Sequence, residues 1–204
     1  MIDKILEKAS ELFMRNGFKV VTMDDIAAEM GISKKTIYQH YENKSVLVEC
    51  SAKHITEGIV KEIDKIYSEL KDPIEEFLLV RDKVGRFITD DKTAGVQQLK
   101  KYYPEIHDKL KGRQESKFTS CIQNNLKRGI ELELYRADID VDFITKIHHN
   151  AMSFLLDNDE FHTNANTFIQ YQNKYIDYHI RAISTSKGIE LLNKLKLKHS
   201  IHEK

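Results

Sequence analysis

A chain of 204 residues, 41% of them apolar, can bury a sizeable core in one or two domains. Lys and Arg (32) balance Asp and Glu (32), so the formal net charge of zero does not favour indiscriminate attraction to DNA. Only 8 Gly and 2 Pro, with apolar residues at helical spacing throughout, predict an all-α chain. No apolar run approaches the roughly 18 residues of a membrane span, and an amphipathic start containing Asp3 and Glu7 is unlike a secretory signal. Cys50 and Cys121 form neither a Cys-x-x-Cys pair nor a disulfide framework, as expected for a protein of the reducing cytoplasm.

In chain order, Ile2, Ile5, Leu6, Ala9, Leu12 and Phe13 recur every three or four residues, and Gly17 follows them. This is an amphipathic first helix with a glycine stop. Thr22 is a good N-cap for the next helix, and Asp25, three residues later, can complete a capping box. Asp24 and Asp25 also put negative charge at the positive end of the helix dipole. Ile26, Ala27 and Met30 supply an apolar face, and Gly31 suits the left-handed conformation of a helix end. Ser33 caps a third helix, Lys-Lys-Thr-Ile-Tyr-Gln-His-Tyr, with Ile37 and Tyr41 facing inward. Lys34, Lys35, Thr36, Tyr38, Gln39 and His40 are left to its start and outer side. Asn43 caps a fourth helix, with Lys44 in its first turn. Two short helices joined by a tight turn form a helix-turn-helix, whose second helix fits the DNA major groove.

Phe13, Gly17, Thr22, Ile26-Ala27, Gly31-Ile32-Ser33, Thr36-Ile37-Tyr38, His40-Tyr41 and Lys44, at these spacings, resemble the DNA-binding domain of the TetR family of bacterial transcriptional regulators. The resemblance covers the first quarter of the chain. It implies phosphate contacts for Thr22, Tyr38, His40 and Lys44, as their chemistry also suggests. Lys34, Lys35 and Gln39 stand where a recognition helix meets base edges: lysine can donate to guanine and glutamine can pair with adenine. Thr36 suits a thymine methyl or a phosphate. Residues 1–50 hold seven Lys/Arg against eight Asp/Glu, so positive charge must be local, at Lys34, Lys35, Lys44 and a protonated His40. The expected division is a DNA-binding domain over 1–48 and a helical domain over 49–204, the fourth helix crossing between them. Val46, Leu47 and Cys50 are expected to face the first domain.

Beyond it, Asp72-Pro73 opens a helix with Phe77, Leu78, Val80, Val84 and Ile88 as apolar residues, and a shorter helix follows near 94–103. Pro104 opens a long helix, for which Gly129 is a plausible stop. Residues 130–139 read as a connector, and Asp140 and Asp142 start the next helix. The last long helix begins at Asn164 or Asn166 and runs to about Ser184, followed by a short amphipathic helix from Ser186 and a frayed end. Asp138, Asp140 and Asp142 alternate like a calcium loop, but Phe143 and His149 replace its glycine and closing glutamate. No metal site, cofactor motif or catalytic constellation is expected, which leaves a helical enzyme without support.

Phe168, Tyr171, Tyr175, Tyr178 and His179 give the last long helix more aromatic surface than its own core needs, and aromatic residues are enriched at interfaces. The family resemblance implies a homodimer paired through the last two long helices, so Phe154, Phe168, Tyr171, Tyr175 and His179 are interface candidates. Such a dimer would meet a palindromic double-stranded operator. The resemblance also implies a cavity for a small-molecule effector of unknown identity. Tyr102, Phe118, Cys121, Asn125, His148 and Met152 are candidates because they mix apolar walls with a few polar groups. The expected activity is that of a ligand-released repressor. The alternative keeps the fold and the DNA contact but places control with a protein partner.

Overall fold

The computed structural model describes the backbone of residues 1–69, 72–89, 93–162 and 165–201, and side chains outside 86–97, 113–116, 159, 162–166 and 199–204. The described chain is all-α. Helices α1 (Ile2–Asn16), α2 (Met23–Met30), α3 (Lys34–Tyr38), α4 (Lys44–Glu69) and α5 (Pro73–Thr89) are followed by α6 (Thr93–Tyr102), α7 (Pro104–Glu131), α8 (Val141–Asp157), α9 (Ala165–Ile183) and α10 (Ser186–Ile201), with a 3-10 turn at Asp159–His162. Tyr135 and Ser184 form an isolated antiparallel bridge.

The chain makes two compact units. One comprises Met1–Glu62 with Phe87–Gln114, the other Ile63–Arg86 with Glu115–Lys204. The first unit closes around Ile5, Leu12, Phe13, Phe18, Ile26, Ile37 and Leu47, and takes Leu99 and Leu110 from the later segment into the same core. Phe13 and Phe18 stack at 5.0 Å across the end of α1. Burying each large side chain is worth about 1.5–3 kcal/mol, so the helix-turn-helix is held by its apolar underside while its polar side stays free. Val46, expected to face this core, is exposed, while Leu47 and Val48 are buried. One step of about 100° along α4 separates those faces.

The second unit has its own core, with Ile74, Phe77, Leu78, Leu126, Tyr135, Ile176, Ile180, Ile183 and Leu192 at its centre. Asp72 accepts from the Ile74 and Glu75 amides at 2.9 and 3.3 Å, which leaves Pro73 the first helical position, where its missing N–H costs nothing. Asp140 caps α8 by accepting from the Phe143 amide at 3.0 Å. The last long helix starts at Ala165; the Asn164 and Asn166 side chains lie outside the described residues. The final helix is longer than the short one expected, reaching Ile201.

Gly129 does not stop its helix: α7 continues to Glu131. The glycine is needed for a different reason. A Cβ there would lie 2.0 Å from Cδ2 of Tyr135, whose ring folds back onto the helix. The amides of Leu134 and Tyr135 both donate to the Gly129 carbonyl, at 2.8 and 3.0 Å, and the left-handed residue of this turn is Glu133, with φ 57°.

Candidate DNA-binding surface

The expected capping box is formed. The Asp25 amide donates to Thr22 Oγ1 at 3.2 Å, and the Thr22 amide and hydroxyl both donate to Asp25 Oδ2 at 2.8 Å. Those backbone and side-chain bonds hold the Asp25 carboxyl below its ordinary range. Gly31 is left-handed (φ 63°, ψ 31°), so its amide and that of Ile32 can close on the carbonyls of Ala28 and Ala27. Ser33 then caps α3 by accepting from the Thr36 amide at 3.1 Å. These short-range bonds fix where α3 emerges.

The third helix is shorter than expected. It ends at Tyr38, because His40 N donates to the Ile37 carbonyl at 3.0 Å and tightens the chain into a turn. Ile37 and Tyr41 nevertheless face inward, at 0% and 5% exposure. Lys34, Lys35, Tyr38, Gln39 and His40 are exposed on the other side. Thr36 is half-buried, with its hydroxyl 2.8 Å from that of Ser33. Lys34 donates to Asp24 at 2.7 Å, and this bond raises its pKa. A base or phosphate contact by Lys34 therefore competes with that carboxylate. Thr22 is exposed, but its hydroxyl hydrogen is committed to Asp25.

Asn43 Oδ1 accepts from the Val46 amide at 3.0 Å and starts α4, which sets Lys44 beside the turn after α1. The Lys44 ammonium donates to the Lys19 carbonyl at 2.9 Å, and burial lowers its pKa, opposed by the Asp25 charge. Lys19 escaped the sequence reading because its neighbours come from far along the chain. Its amide donates to Gln98 Oε1 of α6 at 3.0 Å, and its ammonium lies 4.3 Å from the centre of the Tyr102 ring. The same Gln98 amide covers Gly17 (φ 93°), where a Cβ would come within 2.2 Å of it.

The six effector candidates are divided between the two units. Tyr102 belongs to the first unit; Phe118, Cys121, Asn125, His148 and Met152 belong to the second. Asn125 is fully buried and engaged: its amide donates to the Pro73 carbonyl and to Glu76, both at 2.8 Å, and its oxygen accepts from Tyr135 at 3.2 Å. Glu76, also fully buried, accepts from Arg128 at 2.6 Å; burial raises its pKa against the pull of Arg128 and Asn125. His148 contacts Phe77, Tyr175 and His179, with the Tyr175 hydroxyl 3.2 Å from its Nδ1. Burial lowers the pKa of both histidines. An open depression on α8 is lined by Asn150, Ser153, Phe154, Asp157 and Asn158, none of them an effector candidate.

The interface candidates also divide. Phe154 and Tyr171 are exposed, at 57% and 44%, and both pack edge-on against Phe161. Phe168 and His179 are buried, and Tyr175 is half-buried with its hydroxyl against His148, so these three serve their own unit. Aromatic content alone cannot assign a helix face; the i, i+4, i+7 rows do. Phe143, Ile147 and Phe154 line one exposed row of α8, and Tyr171 and Tyr178 one of α9. Among the described residues no cluster of three or more His, Cys, Asp or Glu suits a metal, and no described helix is long and apolar enough to cross a membrane.

Residues 5–49 match the family model for bacterial regulatory proteins of the tetR family. The chain is 23% identical over 200 residues, 90% of its length, to the uncharacterised HTH-type transcriptional regulator YerO of Bacillus subtilis, and that match spans 66% of the Bacillus protein. A match of 53 residues, 26% of the chain and 28% of the relative, is 40% identical to IcaR, the HTH-type negative transcriptional regulator of the biofilm operon in Staphylococcus aureus. The fold is similar to that of a TetR transcription regulator from Haloarcula marismortui, with a TM-score of 0.76 and 15% identity over 90% of this chain and 98% of that one. Capped helices, the exposed side of α3 and these likenesses agree: residues 5–49 form a DNA-binding domain of the tetR type, in a chain similar along most of its length to an HTH-type transcriptional regulator.

Proposed function

We propose that the protein is a cytoplasmic repressor that binds a palindromic operator as a homodimer and is released by a small-molecule effector. The observation that carries the DNA reading is the exposed face of α3, fixed at its start by the Ser33 cap and backed by buried Ile37. Lys35 and Gln39 read base edges there, while Tyr38, His40 and Lys44 hold the phosphates. Thr22 acts by fixing the cap, and Lys34 joins the contact once it leaves Asp24. A two-fold dimer needs a self-complementary surface, and the exposed row Phe143, Ile147 and Phe154 with Tyr171 and Tyr178 supplies an apolar one. It would set two α3 helices on half-sites about 34–36 Å apart, or a near multiple.

Effector control rests on the second unit, where Phe118, Cys121, His148 and Met152 remain candidate contacts. An effector releases DNA only by binding the DNA-incompetent state more tightly than the competent one. A binding-site selection on the purified protein tests the proposal. A palindromic consensus is expected, and Gln39→Ala should relax preference at particular base pairs. Enrichment of no sequence, or a consensus unchanged by both Lys35→Ala and Gln39→Ala, would refute the assignment.

A further inference from the structure

The segment that completes the first unit carries charge that the helix-turn-helix lacks. Residues 1–62 contain nine Lys/Arg against ten Asp/Glu, whereas residues 87–114 contain six against four. Part of that positive charge is gathered at one point. The ammonium groups of Lys19 and Lys101 lie 4.3 and 5.4 Å from the centre of the same ring, that of Tyr102 at the end of α6. Neither has a carboxylate partner among the described residues. Two cations held against one ring repel each other, and the ring offsets only part of that cost. A neighbouring anion offsets the rest.

The Lys19 backbone is held on both sides, its amide by Gln98 and its carbonyl by the ammonium of Lys44. Lys19 is therefore adjacent to Lys44, a phosphate-contacting residue in the proposed DNA complex. We infer that Lys19 and Lys101, gathered on Tyr102, form a second phosphate clamp that carries the DNA contact beyond the helix-turn-helix onto α6. The inference rests on the DNA-binding reading above. Its partner is the DNA backbone and not the bases, since a lysine ammonium on an aromatic ring presents a point charge without directional readout.

Because phosphate contacts are blind to sequence, a labelled random-sequence duplex serves as the probe, titrated with the full chain across a series of salt concentrations. Each neutralised phosphate contributes about −0.9 to the slope of log K against log salt. Lys19→Gln and Lys101→Gln should each reduce the slope by about 0.9 and weaken binding roughly five- to tenfold at 0.1 M salt. Lys44→Gln is the positive control, and Lys194→Gln, at an exposed position of α10, the negative one. Lys101 is exposed, so matching helical spectra and melting curves will show that its variant is folded. If Lys44→Gln lowers the slope while Lys19→Gln and Lys101→Gln behave like Lys194→Gln, the clamp is refuted and the DNA reading stands. A wild-type chain indifferent to duplex at low salt would overturn both.

Discussion

Lowering the pH should loosen the second unit through His179. This imidazole is 4% exposed, its Nε2 has no hydrogen-bond partner among the described residues, and Phe77, His148 and Tyr175 pack around it. Burial lowers its pKa from 6.5 to about 4. The folded chain therefore takes up a proton at lower pH than the unfolded chain does. The sign follows: stability is complete above pH 6.5 and falls as the pH drops from there towards 4. Between pH 7.5 and pH 5 the linkage relation gives a loss of about 2 kcal/mol from this group. That is a sizeable fraction of a typical folding free energy and about 4–8 °C in Tm for a chain of this size. His148, also pushed down by burial and by its neighbour His179, adds in the same direction. Urea unfolding followed by circular dichroism at several pH values, at fixed protein concentration, measures the effect. His179→Leu keeps an apolar group of similar size and removes the titration, so it should lose about 2 kcal/mol less than wild type over the same range. Equal losses in the two proteins would refute the reasoning.

Gly129→Ala should destabilise by about 1–3 kcal/mol in urea, because the new methyl overlaps the Tyr135 ring and the turn behind it must shift. Glu133→Gly should stabilise by about 0.5–1 kcal/mol in the same assay, since it relieves a left-handed residue at the end of α7. Asp24→Asn should tighten DNA binding in a fluorescence titration, because it frees Lys34 and removes the negative charge beside it; weaker binding would contradict the proposed DNA contact of Lys34. Phe143→Glu should shift the protein to monomer in analytical ultracentrifugation and cost operator affinity at low protein concentration, without lowering the stability of a side chain that is 58% exposed.

The helix-turn-helix was legible because its determinants are local. Thr22 bonds Asp25, Gly31 closes on Ala27 and Ala28, and Ser33 bonds Thr36, each within four residues, and the apolar rhythm of α1 states which face is buried. Features made by distant segments were not legible. Gly129 looked like a helix stop, since nothing nearby reveals that Tyr135 will rest on it. The aromatic surplus of α9 was visible, but its division was not. Phe168 and His179 turn inward because α9 packs on α8, while Tyr171 and Tyr178 stay out. Asn125 read as a polar group in a pocket wall, and only the arrival of Pro73, Glu76 and Tyr135 makes it a fully engaged core residue.

The first unit is not contiguous in the chain, and that has a practical consequence for anyone who wishes to isolate it. A fragment ending near residue 62 would carry every side chain proposed to read bases yet leave bare the area that Leu99 and Leu110 cover, with Gly17 stripped of its lid from Gln98. During synthesis, too, the reading head stays unfinished until the ribosome has passed about residue 114. The stretch from 63 to 86, which belongs to the other unit, must by then have been set aside as a loop. Domain swaps that graft a foreign sensor behind α4 should therefore carry α6 and the start of α7 along with the head.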